Sequence, residues 1–155
     1  MAIRKELRDT KVFHFYNENP KDHRTGDCVI RAIGLATELG WDEVYKSLCK
    51  YGYKKKLMPN DKQCYDKWLQ ENGWVKHKQP RKSDNTKYTG IEFCNLLQNW
   101  IDDDDLIGCE YKGVVISRNI IAHIGGHHLV AIVDGKINDI WYSQDGCIGN
   151  YWTKE

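Results

Sequence analysis

What the chain lacks narrows its class before any motif is considered. Its 155 residues carry a formal net charge of only +1. There is therefore no global field for gripping nucleic acid or an anionic membrane, and any partner must be argued locally. No apolar run approaches the length of a membrane span. The opening stretch Met1-Ala2-Ile3-Arg4-Lys5-Glu6-Leu7-Arg8 is charged throughout and has no apolar centre of the kind a signal peptide needs. The expectation is a cytoplasmic protein with neither a membrane nor a nucleic-acid partner. The six cysteines (Cys28, Cys49, Cys64, Cys94, Cys109 and Cys147) form no close pairs, which favours free thiols over a disulfide framework. Neither Cys-x-x-Cys nor His-Glu-x-x-His occurs. The run Asp102-Asp103-Asp104-Asp105 lacks the alternating ligands and the glycine of a calcium loop, so no metal or other cofactor is expected.

What is present suits one globular domain spanning residues 1–155, with 41% hydrophobic and 29% charged residues. The most informative stretch is Thr25-Gly26-Asp27-Cys28-Val29-Ile30-Arg31-Ala32-Ile33, a capping sequence that leads into an apolar helix with a cysteine in its first turn. Asp27 or Thr25 is expected to cap by accepting a bond from a first-turn amide. Val29, Ala32, Ile33 and Ala36 recur at helical spacing, with Leu39 a turn on and Gly40 as the stop. Unpaired amides and the summed peptide dipoles make a helix N-terminus electropositive. A thiolate is favoured there, and the Cys28 N–H is free for a developing oxyanion. A buried cysteine acting as a small hydrophobe is the competing reading.

The rest of the chain reads as helices first and strands last, an α+β layout. Residues 12–16 form a possible short strand, followed by the turn signal Asn17-Glu18-Asn19-Pro20. A second helix opens at Trp41-Asp42, with Asp42 as cap, Val44, Tyr45, Leu48 and Cys49 as its stripe, and an end near Gly52. Lys54-Lys55-Lys56 reads as a solvated loop. Pro59-Asn60-Asp61 starts a third helix with Cys64, Trp68 and Leu69 inward and Gly73 as its stop, after which Trp74-Val75 is extended. Residues 76–87, basic and nearly free of apolar side chains, read as a mobile surface loop. Thr89-Gly90-Ile91-Glu92 is a capping box opening a fourth helix that carries Phe93, Leu96, Leu97 and Trp100. Strands are expected at 114–117, 120–123, 127–133 and from Lys136 to about Ser143.

The last two runs flank Asp134-Gly135, the strongest short hairpin signal. With those two residues as the turn, paired positions sum to 269, and His128, Val130 and Ile132 share a face with Ile137, Asp139 and Trp141. His128 and Asp139 are then diagonal neighbours, within reach of a histidine–carboxylate contact. His127 with Asn138 is the second-ranked pair, on the opposite face. An imidazole oriented by a carboxylate can take the thiol proton, so Cys28, His128 and Asp139 make a candidate nucleophile, base and orienter. The alternatives are a sheet histidine with an edge carboxylate, or a zinc site built from His123, His127, His128 and a cysteine.

Gly26-Asp27-Cys28 at the start of the core helix, the late strand from His128 through Leu-Val-Ala-Ile to Val133, and Asp139 in the next strand together resemble the papain-like cysteine peptidase superfamily. The likeness is nearest to its small bacterial and phage-borne members and the bacteriocin-leader peptidases. It implies an N-terminal helical lobe packed on a C-terminal antiparallel sheet, with Cys28 as nucleophile, His128 as base then acid, and Asp139 as orienter. Such enzymes commonly complete the oxyanion hole with a glutamine upstream of the nucleophile. Here no glutamine precedes Gln63, and Asn17 or Asn19 is the substitute. The expectation is a cytoplasmic thiol-dependent hydrolase, a cysteine peptidase or amidohydrolase acting on a peptide or protein through a thioester. A transglutaminase, deamidase or acyltransferase would use the same triad, and a non-catalytic phage or bacterial binding module would use the same fold.

Overall fold

Both ends of the chain contribute to one six-stranded sheet in this computed structural model, which describes residues 8–154. The elements run β1 (Phe13–Phe15), α1 (Cys28–Thr37), α2 (Trp41–Lys55), α3 (Lys62–Glu71), β2 (Trp74–His77), α4 (Gly90–Trp100), β3 (Glu110–Tyr111), β4 (Val114–Val115), β5 (Asn119–Ile124), β6 (His128–Val133), β7 (Lys136–Asp139) and β8 (Ile148–Lys154). The main sheet has the order β1-β7-β6-β5-β8-β2, and β3 with β4 forms a separate ribbon. The molecule is thus α+β. Seven of the eight residues of the charged opening stretch lie outside the described residues.

Two features of the expected architecture are corrected. The sheet is mixed rather than antiparallel, because β1 pairs parallel to β7, with Phe13 opposite Ile137 and Phe15 opposite Asp139. Docking on the open edge of β7 is what buries Phe13 completely against the core. The helices are also not all on one side. α1, α2 and α3 cover the face carrying Ile121, Leu129, Ala131 and Trp152. α4 packs Phe93, Cys94 and Leu97 on the opposite face with Ile120, Val130, Ile132 and Ile137. The division follows the side-chain alternation of β6, whose four central residues are all buried, so each face needed its own helical cover.

Several helix ends differ from expectation for local reasons. Glu38, at φ 62, takes the left-handed cap of α1, while Gly40, at φ 89, precedes α2 as its N-cap; Asp42 sits inside the first turn. Leu39 is half exposed at 50%. α2 runs past Gly52 because that glycine lies against the carbonyl of Leu57, where a Cβ would sit 2.5 Å from the oxygen. Lys54 and Lys55 therefore close the helix rather than form a loop. The stretch 76–87 is tied down: Lys76 and His77 belong to β2, and Arg81 bridges Lys87. The capping box of α4 is present in full, with the Glu92 amide donating to Thr89 Oγ1 at 3.2 Å and the Thr89 amide to Glu92 Oε1 at 3.1 Å.

The hairpin has the expected register. Asp134 and Gly135 both have positive φ, 50° and 75°, and Ala131 pairs with Asn138, Ile132 with Ile137 and Val133 with Lys136. β7 ends at Asp139, short of Ser143. β8, between β5 and β2, has no counterpart in the expectation, although Tyr151-Trp152-Thr153 is rich in strand-forming types.

Candidate active site

Cys28 is the first residue of α1, and Asp27 occupies the N-cap position. The expected side-chain cap is absent. A capping residue is normally extended, whereas Asp27 has φ −107 and ψ 22, which turns its carboxylate away from the first-turn amides. That carboxylate is buried and accepts from Arg31 Nε at 2.8 Å, Trp41 Nε1 at 2.9 Å and Asn19 Nδ2 at 3.1 Å. The Cys28 N–H, as the first amide of the helix, has no intrahelical acceptor and no other partner among the described residues, and so is available to a ligand oxygen.

His128 opens β6 and Asp139 closes β7, so the antiparallel hairpin brings them to the same end of the sheet. His128 Nε2 bonds Asp139 Oδ2 at 2.6 Å. That leaves the other ring nitrogen for the thiol, which lies close enough that sulfur and imidazole each shift the other's titration. The three groups predicted from sequence are therefore together, although Cys28 and His128 stand 100 positions apart. His127 and Asn138, the second-ranked pair, are not: the Asn138 amide bonds the Lys136 carbonyl.

The charges are distributed to favour a thiolate–imidazolium pair. Burial pushes the Cys28 thiol up, but hydrogen bonding to His128 and to the Leu129 amide, with the charges of His128 and Arg31, brings it below the ordinary thiol range. Burial works against protonated His128 too, yet Asp139 and Cys28 raise it to about 9. Asp139 resists burial through His128, the Ser143 hydroxyl at 2.7 Å and the Ile140 amide at 2.8 Å, and is held below the usual carboxylate range. At two further cysteines burial is not offset: Cys64 is raised, and Cys94 is pushed up to about 12.

Several functional neighbours escaped the sequence reading. Arg31 is buried and bridges the two halves of the site, donating Nε to Asp27 and Nη1 to Asp139 Oδ1 at 3.0 Å. Its position four residues after Asp27 was a legible signal, because i and i+4 side chains meet on a helix. Ser143 had no such signal. Trp141 packs its ring 4.9 Å from that of His128 while remaining 50% exposed, forming one wall beside the base.

The proposed oxyanion donors are engaged elsewhere. Asn17 Nδ2 donates to Asp22 Oδ1 and to the His23 carbonyl. Asn19 Nδ2 donates to Asp27, and its Oδ1 accepts from the Lys21 amide. Both hold the loop that precedes α1, and of the expected oxyanion groups the backbone N–H of Cys28 is the one left free. The zinc set does not assemble either. Among the described residues no three histidine, cysteine or acidic side chains converge on a point. His123 bonds the Tyr65 hydroxyl, and Gly125 and Gly126, both at positive φ, break the strand before His127.

Two cavities flank the site. One of about 370 Å³ is lined by Gly26, Asp27, Val29, Ile30, Trp41 and Tyr45, beside the first turn of α1. Another of about 520 Å³ is lined in part by His123, Gly125 and Gly126, just before His128 in the chain. A cavity of about 550 Å³ is bounded by Arg81, Tyr88, Leu96 and Lys112 and, unlike the other two, is lined by no chain neighbour of Cys28 or His128; none of the three candidate residues itself lines any of these cavities. No described helix is long and apolar enough to cross a membrane. Comparison with protein-family models, with curated proteins and with solved structures finds no match for this chain.

Proposed function

We propose that this protein is a thiol-dependent hydrolase, a cysteine peptidase or amidohydrolase of papain-like type, working in the cytoplasm on a peptide or protein. The observation that carries the reading is the convergence of Cys28, His128 and Asp139 at one end of the sheet, with the thiol lowered and the imidazole raised. Chain order and the placing of a nucleophile at a helix N-terminus beside a histidine-bearing strand support the papain-like assignment.

The chemistry follows from the geometry. The Cys28 thiolate attacks the acyl carbon, and the carbonyl oxygen gains charge near the free Cys28 amide. Protonated His128 delivers its proton to the leaving nitrogen, which departs as the amine and leaves a thioester. His128, now neutral, takes a proton from water as that water attacks the thioester; the acid is released and the sulfur leaves as thiolate, restoring the thiolate–imidazolium pair. Asp139 keeps the ring in the tautomer and orientation both steps need.

A second reading, a binding module on the same fold, draws support from the engagement of Asn17 and Asn19, which leaves the oxyanion position with one donor rather than two. A transglutaminase, deamidase or acyltransferase differs from the hydrolase only in what attacks the thioester or which amide is taken. Alkylation followed by peptide mapping tests the nucleophile. At about pH 6, Cys28 is expected to react with iodoacetamide at least ~10-fold faster than the exposed Cys109 and Cys147, and His128→Ala is expected to abolish the advantage. Six thiols that react alike, or a Cys28 that reacts only after denaturation, would refute the enzyme.

A further inference from the structure

The cavity of about 520 Å³ ahead of His128 has a one-sided chemistry. It is lined by the cations Lys62 and Lys87, the amides Gln79 and Asn150, His123, the Cys147 thiol and bare glycine backbone, with no carboxylate among its lining residues. Lys62 Nζ donates to Asn150 Oδ1 at 2.6 Å, a neutral acceptor, and among the described residues neither Lys62 nor Lys87 has an acidic partner. Asp66, the carboxylate nearest in effect, already accepts from Trp152, Gln70 and Lys76. Lys62 is depressed by burial first and then by Lys76, with the charge of Asp66 acting in the opposite sense. In a chain of net charge +1, such a local excess is a feature of the place and not of the composition.

Chain neighbours of His128 form part of the cavity wall. Gly125 and Gly126 line it at φ 63 and 99, three and two residues before His128, and an added Cβ at either would meet nothing within 4 Å, so the turn is open to a ligand. Gly149, on the neighbouring strand β8, lies against His123, whose Cβ is 3.2 Å from where a Cβ of Gly149 would sit. On the inner side His123 bonds Tyr65, a hydroxyl close enough to Cys28 to feel its charge.

We propose that this cavity is a substrate subsite for a carboxylate, so that the favoured substrate is a peptide carrying an acidic side chain near the bond attacked by Cys28. The proposal rests on the thiol-hydrolase reading for its account of the bond. The subsite itself can be tested without turnover. Pools of hexapeptides capped at both ends, with glutamate or glutamine fixed at each position in turn, are equilibrated with the Cys28→Ser protein, and the retained peptides are quantified by mass spectrometry. Glutamate is expected to be favoured at one position by about tenfold over glutamine, a preference worth about 1.4 kcal/mol. Lys62→Gln combined with Lys87→Gln should erase it, and Lys62→Glu with Lys87→Glu should reverse it toward lysine-bearing peptides. A parallel pool with free C-termini and no acidic side chains separates the two sources of a carboxylate; stronger retention of that pool than of the capped glutamate pool would overturn the side-chain assignment. Equal retention of glutamate and glutamine peptides, or a preference indifferent to both double variants, would overturn the subsite. The alkylation experiment on the wild-type protein is read separately. A reactive Cys28 without acidic preference removes the subsite alone, and an acidic preference with an inert Cys28 removes the enzyme and leaves a binder of acidic peptides.

Discussion

Arg31 shows how much of the site depends on a residue outside the triad. It is buried with its guanidinium between Asp27 and Asp139, so removing it leaves Asp27 in the interior without a cation and Asp139 with His128 alone. Breaking a buried pair of this kind costs about 3–5 kcal/mol, far more than the pair adds over an apolar replacement. Arg31→Met is expected to lower unfolding stability by that amount in urea titration. Arg31→Lys keeps the charge but not the fork that reaches both carboxylates, and should recover only part of it. Asp139→Asn is expected to act on protonation: NMR titration of His128 should move from about 9 toward the ordinary 6.5. An unchanged titration would mean that Asp139 does not hold the imidazolium.

At the scale of elements, the hairpin decides whether His128 and Asp139 meet. Its turn was legible because Asp-Gly at positive φ fits only a narrow set of connections, and the register followed from arithmetic. Gly135→Ala should be destabilising by about 1–2 kcal/mol from left-handed backbone alone, with more from its Cβ, which would fall 2.6 Å from Gln98 Cγ. Cys28 alkylation should slow in the same variant, since the misplaced turn carries Asp139 with it. Thr89→Ala is the contrasting change. It should cost about 1 kcal/mol through the lost cap of α4 and leave Cys28 reactivity untouched, because α4 lies on the other face. The capping box was readable for the same reason as the hairpin: both are local rules. The N-cap at Asp27 was misread because a tertiary demand, the buried Arg31 and Trp41, outbid the local one. β8 carried a local strand signal in Tyr151-Trp152-Thr153, but its place between β5 and β2 and the parallel docking of β1 were not readable, since each is decided by a partner strand far away in the chain.

Across the whole molecule, one sheet with helices on both faces brings a helix N-terminus and a strand end together. The fold class could be read from the order of helical and strand patterns, whereas the side on which α4 packs could not, because periodicity gives a helix an apolar stripe but not an address. The site is also linked to global stability. Folded His128 binds its proton more tightly, at about 9, than the ordinary value of 6.5. Its contribution is therefore complete below about pH 6.5 and is lost as pH rises through about 9. The stability gap between wild type and His128→Gln should narrow across that window in denaturation series.

In the proposed function His128 takes the Cys28 proton, so that the sulfur ionises below the ordinary thiol range, and ultraviolet thiolate absorbance against pH measures this directly. Subtracting the Cys28→Ser curve from the wild-type curve should leave about one thiolate with a midpoint clearly below the ordinary thiol value of 9.0, and the same subtraction in a His128→Ala background should move that midpoint upward. A difference curve that rises only at the ordinary thiol value, with or without His128, would contradict the account.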